Sequence, residues 1–540
     1  MHKMKRSVAV NQIGYPINGQ KTAIVTEKSS GFHIAEEGTN KIVYRGNASP
    51  PTFDLSSGSI VRKADFSELS KPGTYVVVDD EGNRSTPFVV EERPYVELHN
   101  GLLKAFYYLR CGVTLDERYA GKWGHESCHT TLGAVHGEEG LYLDGNGGWH
   151  DAGDYGKYVV AGAKAVADLL LAYEMYPKAF SKSIPLPESD QLMPDVLHEC
   201  KVELDFLFKM QDKRSGGVYH KLTTRHFPGL SVMPEDDLAE LVFSPISAAA
   251  TASYAAIMAF ASRIYRSYDP SYADKCLNSA EYAWEWIMEH PEAGDFKNPP
   301  DITTGEYGDD CIYDEKYWAA AELYHTTNQE EYHFAFRHYS TKSFSKCELG
   351  WADVGGYGTI SYLRKGKTEE SQSLYTSLQQ ELIQEAERLL VICEKDGYGI
   401  SLEENDYIWG SNMVLMNRAM LLLIAREWSP KPEYVNAATQ HLHYLLGKNT
   451  LYLSYVTGFG TRSVMNPHHR PSVGDHVDAP VPGMVVGGPN RNLNDEIMEQ
   501  TLKGKPAAAS YIDHEDSYAG NEITIYWNSP AVFVVSYFNQ

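Results

Sequence analysis

Nothing in this 540-residue chain approaches the unbroken run of about 18 to 20 apolar residues that a membrane span needs. The start, MHKMKRSVAVNQIGY, is basic, but its apolar run ends after VAV, so no signal-peptide core is read there. The chain as it stands is therefore expected in the cytoplasm, or outside the cell if a leader has been removed. Positive charge is also scarce: 48 Lys and Arg face 72 Asp and Glu, a formal net charge of -24. That balance argues against nucleic acid or an anionic membrane as partner, because phosphate binding needs a basic footprint. It suits a neutral ligand and bound cations. Seven cysteines, an odd number spread over the whole length, do not form the pattern of a disulfide framework.

What the chain does have is a folded composition, 43% hydrophobic with 37 tyrosines, and a change of texture near residue 93. Up to that point short β-rich runs alternate with turn signals: TAIVTE, FHIAEE, KIVYRG, VRKADFS, and the hairpin GTYVVVDDEGNRSTPFVVEE. Residues 1–93 are expected to form a small antiparallel sandwich of immunoglobulin-like topology. From residue 94 to 540 apolar periods near 3.6 dominate, as in VADLLLAYEMY, SAAATASYAAIMAFASRIY, KYWAAAELYHT and NMVLMNRAMLLLIAREW. About a dozen helices without strands alternating between them exclude a β/α barrel, and no fixed 30-to-45-residue repeat points to a solenoid. The remaining choice is a helical barrel whose long loops carry the site.

Four loops concentrate the chemistry. GGWHDAGDYGKY places His150, Asp151 and Asp154 within five positions, in a stretch too rich in glycine for a helix interior. Cys111, Cys128, His129 and His150 offer two thiolates and two imidazoles, a set that zinc accepts and that would close its coordination sphere. The alternative is two buried free cysteines and two surface histidines. In TTGEYGDDCIYDEKYW, Asp309, Asp310, Asp314 and Glu315 either favour a helix N-terminus or supply oxygen ligands to calcium. In the calcium case the set is Asp314 and Glu315, with the chain around Asp310 and Cys311, and Asp353. In SYVTGFGTRSVMNPHHRPS, Arg462, His468, His469 and Arg470 either orient hydroxyls or are simply solvated. Asp513, Tyr518 and Glu522 precede an apolar C-terminal helix, where a lone carboxylate is most simply a helix N-terminal charge.

Taken together, SYVTGFGTRSVMNPHHR and YIDHEDSYAGNEITIYWNS resemble the two signatures of glycoside hydrolase family 9, largely cellulases, and WHDAGDYGKY resembles that family's third catalytic stretch. The opening VNQIGYP is similar to the immunoglobulin-like module that precedes many of its catalytic domains. The resemblance implies Asp154 as the general base, Asp151 as its aid in holding water, and Glu522 as the general acid. It further implies that His468 and Arg470 contact substrate beside the cleavage point and that Asp513 supports the site. Members with the sandwich commonly carry a zinc set that maps to Cys111, Cys128, His129 and His150.

The fold expected is thus an immunoglobulin-like β-sandwich followed by an all-α (α/α)6 barrel, most simply a monomer. The function expected is that of an inverting endo-1,4-β-glucanase on cellulose-type glucans and cello-oligosaccharides, with structural zinc and calcium. Trp409, Trp351 and Tyr518 are the candidate sugar-binding aromatics, since an aromatic face among polar groups suits a pyranose. Two rivals remain: an exo-β-D-glucosaminidase on chitosan oligosaccharides, and a zinc-dependent hydrolase working through a metal-bound water.

Overall fold

The computed structural model describes residues 8–181, 184–190, 192–368 and 371–540. Eight strands come first: β1 (Gly14–Pro16), β2 (Thr22–Thr26), β3 (Gly31–Glu36), β4 (Ile42–Asn47), β5 (Thr52–Asp54), β6 (Ser59–Asp65), β7 (Gly73–Asp79) and β8 (Phe88–Glu91). They form two sheets, ordered β1-β8-β7-β3-β4 and β2-β6-β5, antiparallel except where β1 runs parallel to β8. Alternation decides which side chains enter the core: Phe32 and Ile34 on β3, Tyr75 and Val77 on β7, and Phe88 and Val90 on β8 all point inward. At the centre the Tyr15 ring lies edge-on to Phe66 and Phe88, with centroids 5.2 and 5.1 Å away. Its hydroxyl donates to the Thr22 carbonyl at 2.9 Å, so burial leaves no polar atom unpaired. The DDEGN turn is built by Asp79, whose Oδ1 accepts the N–H groups of Glu81 and Asn83, with Gly82 in the left-handed region at φ +79°.

The last strand ends at Glu91 and the first helix, Val96–Tyr108, follows at once. The chain nevertheless divides into two compact units that cut across this boundary. The first comprises Met1–Ala105, Ala386–His468 and Asp478–Gln540; the second comprises Phe106–Glu385 and His469–Val477. Within the first unit the sandwich is joined to helix Pro432–Leu445, where Thr22 Oγ1 donates to Gln440 Oε1 at 2.9 Å. The C-terminal helix Ile525–Phe538 of this unit is capped by Thr524, which accepts the Trp527 N–H at 3.1 Å. Asn528 on that helix donates to the carbonyls of Leu102 and Gly483.

The second unit holds the helices Val159–Met175, Asp195–Met210, Ala248–Tyr265, Pro270–Glu289, Tyr313–Thr327, Glu330–Ser340 and Gly355–Lys365. Ala248–Tyr265 is small, apolar and buried around nearly its whole circumference, as a central helix must be. Ser247 caps it, accepting the Ala250 N–H at 3.1 Å. Pro270–Glu289 buries one side, with Tyr272, Ala273, Cys276, Ala280, Ala283, Trp284, Trp286 and Ile287, and keeps a charged outer face. One feature departs from the all-helical expectation. Five strands of two or three residues, Gly133–Val135, Tyr142–Leu143, Lys157–Tyr158, Lys221–Thr223 and Val242–Phe243, form a small sheet in the loops, and Lys157–Tyr158 directly continues the Asp154 loop.

Candidate active site

The loop of Asp151 and Asp154, in the second unit, is tied down on both sides. Before it, the Cys111 N–H donates to the Gly148 carbonyl at 2.8 Å and the His150 N–H to the Leu109 carbonyl at 2.7 Å, a short antiparallel bridge. Trp149 is fully buried, giving its backbone N–H to Glu203 at 2.7 Å and its indole N–H to Glu199 at 2.9 Å. Gly148 sits at φ +76°, and a Cβ there would meet Glu203 Oε2 at 2.8 Å, so only glycine allows this approach. After it, the Asp151 N–H returns to the Gly156 carbonyl at 2.9 Å, closing the loop, while Lys157 Nζ donates to the carbonyls of Gly145 and Gly147.

The two carboxylates have different surroundings. Asp151 is 1% exposed; Tyr307 donates its phenol hydrogen to Oδ2 at 2.5 Å, and Oδ1 has no hydrogen-bond partner. Burial first, then the charge of Asp154, holds the Asp151 carboxyl well above the usual carboxylate range. Asp154 Oδ2 accepts the Gly156 N–H at 2.8 Å and the Tyr158 hydroxyl at 3.4 Å. Lys221 is pushed down to about 8 by burial, against which the charge of Asp154 works. The pair therefore offers one carboxylate steadied at a single oxygen and, beside it, a buried carboxyl with one oxygen unpartnered.

Tyr307 is a non-glycine residue at φ +50°, a conformation that survives only where surroundings enforce it and that concentrates at functional sites. Its ring lies 4.5 Å from Tyr158 and 4.7 Å, edge-on, from Trp351. Trp351 thus belongs to an aromatic cluster that reaches Asp151. Tyr307, Tyr158 and Lys221 were not singled out in the sequence. The only signal was their neighbourhood, EYGDD for Tyr307 and the end of WHDAGDYGKY for Tyr158.

Glu522 stands in the first unit, half-buried in extended backbone between the short helix Tyr518–Asn521 and the C-terminal helix. Its segment is pinned on two flanks. The His468 N–H donates to the Asn521 carbonyl at 2.9 Å, and the Gly487 N–H donates to the Glu522 carbonyl at 3.0 Å. Trp409 and Tyr518, 43% and 39% exposed, pack with centroids 5.3 Å apart, and Tyr518 lies 6.1 Å from the His468 ring. The predicted aromatics Trp409 and Tyr518 therefore form one exposed platform with His468. Asp513 has a supporting position: its oxygens accept the N–H groups of Met465 and Asn466 at 2.8 Å, and Oδ1 also accepts from Asn521 Nδ2.

Arg470 lies in the second unit, 6% exposed, and its guanidinium is engaged by backbone. Nη1 donates to the Gly153 carbonyl at 2.7 Å, while Nε and Nη2 donate to the Pro228 carbonyl at 3.1 and 3.0 Å.

The two metal-ligand sets differ in how well they assemble. One ligand atom from each of Cys111, Cys128, His129 and His150, all buried, falls within 4.8 Å of the others. His129 meets Asp237 through Nε2 at 3.3 Å, and its buried Nδ1 has no hydrogen-bond partner. It is also held at φ +50°. A carboxylate behind a histidine, with the other nitrogen unspent, is the arrangement a metal ligand needs. In the acidic loop Asp314 and Glu315 lie in the first turn of helix Tyr313–Thr327, buried, with Asp314 Oδ1 and both Glu315 oxygens unpartnered. Burial pushes Asp314 up to about 6 and Glu315 well above its usual range, with Asp309 adding to both. The third carboxylate of this group is Asp309, whose Oδ2 is buried without a partner. Asp310 and Asp353 are exposed, and Cys311 is half-buried.

The chain thus carries an immunoglobulin-like β-module and a helical part whose glycine-rich loop sets two aspartates side by side. The chain belongs to glycosyl hydrolase family 9: the model of that family matches residues 95–535, and the cellulase N-terminal ig-like domain matches residues 3–83. A cellodextrinase of Butyrivibrio fibrisolvens is 40% identical, the match covering 98% of this chain and 99% of the relative. Endoglucanase D of Acetivibrio thermocellus is 35% identical over 98% of this chain and 83% of its own length. The crystal structure of a thermostable endoglucanase variant from Alicyclobacillus acidocaldarius superimposes with a TM-score of 0.94 at 42% identity, covering 99% of this chain and all of that one. The helical part is accordingly the (α/α)6 domain of this family, preceded by its immunoglobulin-like module.

Proposed function

We propose that this chain is an inverting β-1,4-glucanase that cleaves cellulose-type glucans and cello-oligosaccharides internally. The observation that carries the reading is the Asp151–Asp154 pair. Inversion at an acetal needs a base that takes a proton from water and an acid, on the other side of the bond, that protonates the leaving oxygen. Asp154 offers an oxygen that accepts a hydrogen of the water, and beside it Asp151 Oδ1 has no other partner and can bond the same water. Tyr307 holds Asp151 from behind, so Asp151 orients the water while Asp154 removes its proton. Glu522 delivers a proton to the departing glycosidic oxygen. The membership of the chain and the names of its relatives support a glucan substrate. Incubation with cellohexaose and with swollen cellulose tests it: internal cleavage of cellohexaose gives early cellotriose, and cellobiose together with cellotetraose, whereas glucose and cellopentaose as the only first products would refute endo action.

Cys111, Cys128, His129 and His150 would hold a zinc ion. Four protein ligands leave no open position, which favours a structural ion over the catalytic zinc of a metal-dependent hydrolase. Its contribution would be to fix the bridge between residues 109–111 and 148–150, immediately before Asp151. Cys128→Ser is expected to lower both the zinc content and the melting temperature, while the folded fraction keeps near-normal turnover. Metal analysis that finds no zinc in the purified protein would overturn the assignment.

Asp314 and Glu315 would hold calcium, with Asp309 as their neighbour. Buried, unpaired carboxylates repel one another unless a cation compensates them. Calcium added to chelator-treated protein is expected to raise the melting temperature, since a ligand that binds only the native state stabilises it. Asp314→Ala should abolish that rise, and a rise undiminished in the variant would contradict the site.

A further inference from the structure

We propose that His220 is a positioning residue for the aspartate that orients water, acting through the Glu306 carbonyl and the hydroxyl of Tyr307. The inference rests on the reading of Asp151 as that aspartate. Tyr307 donates to Asp151 Oδ2 at 2.5 Å from a backbone at φ +50°, a conformation that a tyrosine keeps only where its surroundings impose it. One imposing contact falls on the preceding peptide: His220 Nε2 lies 3.0 Å from the Glu306 carbonyl. The peptide unit is planar, so a carbonyl held in one direction also holds the N–Cα bond of Tyr307.

The surroundings of His220 hold it to this one bond. It is fully buried, and its ring lies flat on Phe296, with centroids 3.8 Å and planes 10° apart, which fixes the plane in which Nε2 points. A carbonyl can only accept, so the hydrogen sits on Nε2, and Nδ1 of the neutral ring accepts the Ser247 hydroxyl at 2.8 Å. Burial first, then the charge of Lys221, pushes the ring down to about 3, so near neutral pH it stays neutral and the donor stays on Nε2. The two carbonyls before Glu306 are held by the next residue along. Lys221 carries three N–H donors and meets Thr304 Oγ1 at 3.0 Å, the Thr304 carbonyl at 3.3 Å and the Gly305 carbonyl at 2.6 Å. Three successive carbonyls thus lead into Tyr307, each with a donor from His220 or Lys221. Strand Lys221–Thr223 pairs with Lys157–Tyr158, which continues the Asp154 loop, so the support of Tyr307 and the loop it serves share one sheet.

The test is steady-state and single-turnover kinetics of His220→Asn, His220→Gln, Tyr307→Phe, Asp151→Ala and the Tyr307→Phe/His220→Asn double variant on a chromogenic cello-oligosaccharide. A glutamine amide reaches as far as Nε2 and keeps the donor to Glu306, whereas an asparagine amide reaches only as far as Nδ1 and keeps the Ser247 contact alone. His220→Asn is expected to cost about 10-fold or more in kcat with KM within about twofold of the parent, and His220→Gln to stay within about threefold of parental kcat. In the Tyr307→Phe background, replacing His220 is expected to cost nothing further, because its effect passes through the missing hydroxyl. Circular dichroism and melting temperature establish that the losses occur in folded protein. If His220→Asn does not fold, His220→Phe, which keeps the stack on Phe296 and lacks the donor, takes its place. Parental kcat in the folded variant without the donor, a His220→Gln no better than that variant, or an equal loss with and without the Tyr307 hydroxyl overturns the proposal. Near-parental turnover of Asp151→Ala would instead overturn the water-orienting role beneath it.

Discussion

Asp154→Ala is expected to reduce kcat on cello-oligosaccharides by about 100-fold or more, the usual consequence of removing a general base. KM should move little, because the carboxylate acts on water and not on the sugar, so kcat and kcat/KM should fall together. The variant should also fold normally: the loop is closed by backbone bonds, such as that from Asp151 N–H to the Gly156 carbonyl, which the substitution leaves in place. Steady-state kinetics with thermal melting as control checks this. A loss of less than tenfold would mean that the water is activated by another group.

Glu522→Gln is expected to cost as much on natural oligosaccharides and distinctly less on aryl glycosides with acidic phenols. A good leaving group departs with little protonation, so the missing acid matters less. The amide preserves the shape of the side chain, and the backbone pins at His468 and Gly487 do not involve the carboxyl. The contrast between leaving groups is the diagnostic feature. Equal losses on both substrate types would remove Glu522 from the acid role, and insensitivity on both would remove it from the chemistry.

The parts of this site that could be read from the sequence are those in which the neighbours in space are also neighbours in the chain. His150, Asp151 and Asp154 share one short loop, and Asp513, Tyr518 and Glu522 share another, so their residue types and spacing already carried the pattern. The strands and long helices were legible for the same reason, through periods of 2 and 3.6. What escaped depends on distant pairs. Tyr307 reaches Asp151 from 156 positions away, and Arg470 reaches Gly153 from 317, so no local spacing could announce either. The small sheet escaped because strands of two or three residues have no alternation to detect. The two compact units escaped because they are assembled from segments far apart in the chain, and the change of texture at residue 93 does not separate them. In the acidic loop the composition marked the place but not the members: burial selects Asp314 and Glu315, joined by Asp309, and leaves Asp310 at the surface.

The central claim is that water attacks in a single displacement, with Asp154 as base and Glu522 as acid. Proton NMR during the first minutes of cello-oligosaccharide hydrolysis, before mutarotation equilibrates the products, tests it most directly. A β-linked substrate should release a new reducing end that is initially the α anomer. An initial β anomer would mean a covalent glycosyl-enzyme intermediate, and Asp154 could then no longer be a base acting on water.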